Sequence, residues 1–419
     1  MNIECIYKRF IINITRAFLC MTQINIINQL SRSSMSILLT SEEGWIVSHL
    51  QYLNEIYKKV LNDSGFCTLI FNKMIFEINS QYLRQNQITQ TVQDDAVSHN
   101  KKKRKRSQLL PERDLEEVDH VKQKFSTIIS TAKTRGLFNE NVSLDNNEAA
   151  RLASQKFYQD TYCLKDENLY GSNDTNNAVI SETHNKKYVF PKECTFYCYD
   201  VKDIEKKMEL NNQYDFILLD PPWWNKSIRR KKMKYAEASY KMMYNEELIK
   251  IPIRKLLHSN GIVAIWCTNS SNHLNSIFNE IFPSWGITHR AKWYWIKVTQ
   301  AGDTICNFNL APGKQPYELL ILGSALEEDK VNIPDSKLMI SVPSAVHSHK
   351  PPLTEIIKEY LPNEPKCLEI FARYLLPGWT SWGLEILKFQ HLSLYEILDE
   401  NKKAENNADN ERSENQSKN

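Results

Sequence analysis

An apolar run, Phe216-Ile217-Leu218-Leu219, that ends in Asp220-Pro221-Pro222-Trp223 constrains this 419-residue chain more than any other feature. An apolar run without alternation reads as a strand buried on both faces, the kind found in parallel sheets. Two prolines end it abruptly, hold the next turn rigid and aim the preceding carbonyl groups outward. A carboxylate is thereby delivered to the carboxyl end of a strand, where open α/β sheets bind ligands. Asp220 and the Pro221 carbonyl can each accept a hydrogen from an exocyclic amine, and Trp223 offers a flat face to a base.

Around this run the chain alternates. Residues 196–201, 216–219, 262–267, 291–297, 319–322 and 367–371 are candidate strands, with helical patterns at 245–258, 271–281 and 352–361 between several of them. The alternation predicts an α/β fold, a mostly parallel sheet with helices on both faces, over residues 187–396. Ahead of it, 35–95 reads as an amphipathic helix at 44–61 followed by a strand, and 111–186 as a charged helix to about 135, a short helix at 147–158 and loops. Together these predict a smaller α+β N-terminal domain, divided by a basic linker at 96–110. The extension at 1–34 and the polar tail at 397–419 read as disordered, with Met35 the expected start of the folded chain. The apolar stretch at 10–21 contains Arg16 and is too short to span a bilayer, so no membrane role is expected.

Net charge is only +3, so nucleic-acid affinity has to come from local clusters. Two stand out. Lys101 to Arg106 is an unbroken run of six positive charges, either a nuclear import signal or a handle for phosphate backbones, and it places the expected location in the nucleus, with the cytoplasm not excluded. Beyond Trp223, Lys226, Arg229, Arg230, Lys231, Lys232, Lys234 and Lys241 face one acid, Glu237, with Tyr235, Tyr240 and Tyr244 interleaved. That mixture suits phosphate contacts and base stacking, or else a solvated loop.

The nine cysteines are odd in number and show no C-x-x-C spacing, which reads as reduced intracellular thiols without zinc. His347 and His349 have no adjacent carboxylate or cysteine and read as loop histidines, so no metal is expected. No G-x-G pair and no P-loop occurs among the 11 glycines, which speaks against nicotinamide dehydrogenases and P-loop phosphotransferases. Trp293 and Trp295, two residues apart on one strand, point to a common face, and Trp295 is expected to reach the pocket.

Further motifs carry a resemblance: Trp223-Trp224-Asn225-Lys226-Ser227, Pro316-Tyr317-Glu318, His347-Ser348-His349-Lys350-Pro351-Pro352-Leu353 and Thr380-Ser381-Trp382-Gly383, reinforced by Gly44-Trp45 and the basic run. From about Tyr214 to Gln390 the chain resembles the DPPW family of N6-adenine methyltransferases, and within it the branch called methyltransferase-like protein 4. The resemblance implies a circularly permuted (class β) Rossmann-like methyltransferase sheet and S-adenosylmethionine as cofactor. It implies catalytic roles for Asp220, Pro221, Pro222 and Trp223, with Asp220 also near the sulfonium. Cofactor contacts are implied for Asp200, Val201, Lys350, Arg373, Gly383, Leu384 and Glu385, and substrate contacts for Asn225, Lys226, Ser227, Arg229, Arg230, Tyr235, Trp295 and Glu318. The implied substrate is adenosine in RNA, an internal 2′-O-methyladenosine of U2 small nuclear RNA, with DNA adenine or an RNA-binding scaffold as alternatives, and the implied active form is a monomer. Tyr374, Leu376 and Leu384 depart from the family's amide residues, which lowers the expected cofactor affinity.

Overall fold

Hydrogen bonding gathers the chain into two sheets. A computed structural model describes residues 35–81, 112–139, 146–161, 168–183, 185–208, 213–224, 242–309, 314–325 and 332–399. The extension at 1–34, the basic run at 101–106, the stretch 225–241 and the tail from 400 onward lie outside the described residues.

The N-terminal part comprises β1 (Ile37–Ser41), β2 (Gly44–Val47), α1 (His49–Ile56), β3 (Val60–Asn62) and β4 (Gly65–Phe71), followed by the helices α2 (Glu112–Thr134) and α3 (Glu148–Thr161). Four strands come next: β5 (Leu169–Asn173), β6 (Ala178–Thr183), β7 (Lys186–Phe190) and β8 (Cys194–Cys198). The remainder holds β9 (Tyr214–Leu219), β10 (Leu257–Cys267), β11 (Thr288–Lys297), β12 (Tyr317–Ser324), β13 (Leu338–Ser341), β14 (Cys367–Ile370), β15 (Trp379–Trp382) and β16 (Tyr395–Asp399).

Eleven strands form the central sheet in the order β1-β2-β13-β11-β12-β10-β9-β14-β15-β8-β5. At its centre β8, β15, β14, β9 and β10 run parallel. β9 lies between β14 and β10, so Phe216, Ile217 and Leu219 are fully buried, as the unbroken apolar run requires. Its two faces feed separate cores: Ile217 and Leu219 pack in one with Val121, Phe125 and Ile128 of α2, whereas Phe216 and Leu218 pack in the other with Tyr52 of α1 and Phe157 of α3. The 3-4-3-4 spacing of Val118, Val121, Phe125, Ile128 and Ala132 gives α2 its single buried stripe. Helices thus cover both faces.

All six expected strands are present, but several expected helices are shorter. The stretch 245–258 holds two single turns, Asn245–Leu248 and Ile253–Leu256, because Pro252 interrupts them, and 257–258 already belong to β10. The helix expected at 44–61 is strand β2, helix α1 and strand β3. Gly44 decides this: at φ +146 it lies so close to β13 that a Cβ would stand 1.9 Å from the Leu338 carbonyl oxygen. Ser48 then caps α1 by accepting from the Gln51 N–H.

Residues 35–81, expected within a smaller N-terminal domain, divide between the sheets. β1 and β2 extend the central sheet through β13, while β3 and β4 join β6, β7 and β16 in the second, ordered β16-β4-β3-β6-β7. Residues 397–399, expected in the tail, complete β16 against β4. The segment 168–183, expected as loop, supplies β5 and β6, whose polar sequences gain their order by pairing with β8 and β7. Among the described residues no helix is long and apolar enough to cross a membrane.

Candidate active site

Strand direction collects the chemistry at one edge. The carboxyl ends of β8, β15, β14, β9 and β10 all open there, and β12, antiparallel to β10, brings its first residues, Tyr317 and Glu318, to the same edge beside Cys267. Glu318 in turn lies across from Trp295 near the end of β11.

The result is a chain of alternating charges. Lys297 meets Glu318, and Glu318 meets Lys350. Lys350 Nζ is 3.4 Å from Asp220 Oδ1, and Arg373 Nη1 is 3.1 Å from Asp220 Oδ2. Arg373 Nε reaches Glu385 at 3.1 Å, and Lys388 reaches the same carboxylate at 2.8 Å. Both oxygens of Asp220 are therefore held by cations, in a residue only 7 % exposed. Burial pushes the Glu318 carboxyl up, but Lys297 and Lys350 outweigh it and hold it well below the usual range. Lys350 loses hydration by burial, yet Asp220 and Glu318 raise its pKa, so it stays an ammonium. That ammonium lies 5.3 Å from the Trp266 ring centroid and 5.8 Å from that of Trp295, within cation–π range.

Trp295 lies beneath this network rather than open to solvent: its indole N–H donates to Ser341 Oγ at 2.8 Å, and Lys297 sits 4.3 Å above its ring. Trp223, expected to offer a stacking face, is buried and does not line the cleft described below. Its indole N–H donates to the Trp266 carbonyl at 2.8 Å, and its ring packs 4.7 Å from that of His273. The proline carbonyls already have partners: Pro221 accepts from the Trp223 N–H at 2.8 Å and Pro222 from the Met243 N–H at 2.9 Å. A carbonyl oxygen has two lone pairs, so each keeps one acceptor site. Asn225, Lys226, Ser227, Arg229, Arg230 and Tyr235 lie outside the described residues.

Beside Arg373 a cleft with about 680 Å³ of empty space, open solvent included, runs between the ends of β8, β14 and β15. Asp200, Val201, Arg373, Gly383, Leu384 and Glu385 line it, together with Pro222, Tyr199, Glu247 and Phe371. Lys350 and Asp220 adjoin it through Arg373. Gly383 is needed where these loops cross, because a Cβ there would stand 2.7 Å from the Ala372 carbonyl oxygen. Phe371, at φ +66, is the strained residue on the opposite strand end. Of the three departures from the family pattern only Leu384 faces the cleft, at 44 % exposed; Tyr374 and Leu376 are buried in the core.

Sequence reasoning passed over Glu369. This residue of β14 is 3 % exposed, and its Oε2 has no hydrogen-bond partner. Burial, and then the Asp220 charge, push its carboxyl up to about 8, with Arg373 opposing. Only its place in a run of buried strand residues, Cys367-Leu368-Glu369-Ile370, could have marked it in the sequence. His349 is likewise buried, with Nδ1 unpartnered, and burial lowers it to about 3, so its ring is neutral. Among the described residues no group of His, Cys, Asp or Glu could hold a metal.

This donor set fits S-adenosylmethionine. The cofactor carries a carboxylate, and Lys350 and Arg373 place two cations beside the cleft that could hold it. Its adenosine suits a cleft of this size lined by both apolar and acidic groups.

A family model, MT-A70, matches residues 214–385, the stretch that contains most of these groups. The chain is 37 % identical over 224 residues to N(6)-adenine-specific methyltransferase METTL4 of Mus musculus, covering 51 % of this chain and 46 % of that protein. It is 35 % identical over 179 residues to N6-methyladenosine RNA methyltransferase MTA1 of Cryphonectria parasitica, covering 42 % and 53 %. It is 27 % identical over 378 residues to the DNA N6-methyl methyltransferase of Caenorhabditis elegans, covering 83 % and 96 %. The chain thus spans about half the length of the METTL4 relative it matches. With an Asp-Pro-Pro-Trp loop at the end of the central strand and these matches, residues 214–385 carry an MT-A70 domain, similar to that of the METTL4 relatives.

Proposed function

We propose that this chain transfers a methyl group from S-adenosylmethionine to the N6 amine of adenosine in RNA, with internal 2′-O-methyladenosine of U2 small nuclear RNA as the substrate that the branch resemblance implies. The observation that carries the reading is Asp220, a buried carboxylate at the tip of β9 that is held by Lys350 and Arg373 at the mouth of the cleft. In this reading the sheet is a circularly permuted Rossmann-like one. β14, whose strand and following turn carry Glu369 and Arg373, sits next to β9 in the sheet but follows it by about 150 residues in sequence. The basic run supports a nuclear protein, and a single chain is taken as the active form.

When bound, S-adenosylmethionine supplies an electrophilic methyl group. The protein's part is to orient the amine and neutralise charge. Lys350 and Arg373, the cations beside Asp220, would hold the cofactor's carboxylate. Asp220 and a proline carbonyl would accept the two amine hydrogens and orient the nitrogen for transfer. Both acceptors bind more strongly as positive charge grows on nitrogen, which stabilises the transition state more than the ground state. Trp223 braces the loop from below, and Asp200, Val201, Gly383 and Glu385, which line the cleft, would hold the adenosine of the cofactor.

DNA is the second reading, because the relative matched over 96 % of its length is a DNA N6-methyl methyltransferase. The test is transfer from labelled S-adenosylmethionine to matched oligonucleotides carrying adenosine, 2′-O-methyladenosine or deoxyadenosine. Transfer is expected with 2′-O-methyladenosine preferred, and Asp220→Ala should lower it by at least about a hundredfold. Preference for deoxyadenosine would favour DNA, and no transfer to any of the three with RNA still bound would replace the enzyme by a scaffold.

A further inference from the structure

His273, which this mechanism leaves unused, touches the chain where it leaves the Asp220 loop and where it returns. It lies on the helical turn Ser271–Ser276 that follows β10. Its ring centroid is 4.7 Å from that of Trp223, its Nε2 lies 3.2 Å from the Trp224 carbonyl oxygen, and its Nδ1 lies 3.3 Å from Asn245 Oδ1. Trp224 is the last described residue of the loop, and Asn245 opens the helical turn Asn245–Leu248 on the returning chain. Met243 closes the same base by pairing with Trp223 as an isolated bridge and donating its N–H to the Pro222 carbonyl at 2.9 Å.

A main-chain carbonyl can only accept, so Nε2 carries the one hydrogen of the neutral ring, and Nδ1 accepts from Asn245 once that amide is turned to present Nδ2 where Oδ1 stands. Burial, the larger influence, lowers the His273 pKa, with the Trp224 carbonyl opposing, so the ring is neutral near pH 7. One side chain thus holds the loop by a ring contact to Trp223 and a bond to the Trp224 carbonyl, and joins it to Asn245 on the returning chain. The loop's own prolines restrict its φ angles but leave the peptide after Trp223 free to rotate.

We infer that His273 is a positioning residue, an imidazole clasp that ties Trp224 to Asn245 and so holds Asp220 and the proline carbonyls in the orientation the transfer needs. The inference rests on the methyltransferase reading, and its test separates the two. His273→Gln places an amide nitrogen where Nε2 stands, His273→Asn reaches only the Nδ1 position, and His273→Ala loses both. In the Ala and Asn variants kcat for methyl transfer should fall about tenfold or more. The Gln variant should recover to within about threefold, and the Kd for S-adenosylhomocysteine should change by less than about twofold in all three. Amide hydrogen exchange at Trp223, Trp224 and 242–245 should quicken in the Ala and Asn variants and not in Gln. Equal kcat in the Gln and Asn variants, or unchanged exchange in Asn, would overturn the clasp. A wild-type protein inactive on every oligonucleotide would remove the methyltransferase reading, while the exchange comparison would still decide whether His273 holds the loop.

Discussion

Glu369 shows how one buried side chain sets a pH dependence. Its carboxyl titrates near 8 in the folded protein against 4.5 as the ordinary value, because burial and Asp220 disfavour its charge. Between those two values the unfolded chain has released this proton and the native state still holds it, so stability falls as pH rises through the window. Glu369→Gln removes the group. The variant should gain stability over wild type from pH 4.5 upward, reaching on the order of a few kcal/mol at pH 8. Urea titrations at several pH values check this, and parallel curves for the two proteins would refute it. Leu384 is the other residue whose contribution can be read directly. It is the one departure from the family pattern that faces the cleft, where its side chain offers a ribose no hydrogen bond. Leu384→Asn should tighten S-adenosylmethionine binding about two- to tenfold, the worth of one net hydrogen bond, and isothermal titration that finds equal affinities would discard the idea.

Among the elements, β2 depends most on a single backbone position. Gly44 begins the strand at φ +146, with the β13 backbone where a Cβ would go. Backbone cannot swing aside as a side chain can, so Gly44→Ala has to separate β2 from β13. The expected cost is about 3 kcal/mol or more. Gly65, at φ +122 with nothing within 4 Å, is the control, since alanine there meets only backbone strain of about 1 kcal/mol. A urea midpoint that shifts equally in both variants would show that φ, not the approach to Leu338, limits β2. The same contact explains why an amphipathic pattern at 44–61 did not become one helix. Four of its residues, Gly44–Val47, are buried between β1 and β13, and β13 lies nearly 300 residues further along the chain.

Across the whole molecule, the site exists because five parallel strands end, and the antiparallel β12 begins, at one edge, so that residues from Asp200 to Glu385 in the sequence meet around one cleft. The central strands were legible because each is a local apolar run, and the Asp220 loop because prolines and a carboxylate act through neighbouring bonds alone. The sequence by itself determined those strands, the turn after β9 and the chemical types gathered around it. β5, β6 and β16 were not legible, since they lack a pattern of their own and form because another strand offers hydrogen bonds along its edge. Only the tertiary structure decided that Trp223 braces the loop from within, that Tyr374 and Leu376 lie in the core, that Glu369 is buried beside Asp220, and that His273 joins the two ends of the loop. The reason is physical: the orientation of a side chain and the charges it meets depend on strand pairings between residues far apart in sequence, and no local propensity carries that information.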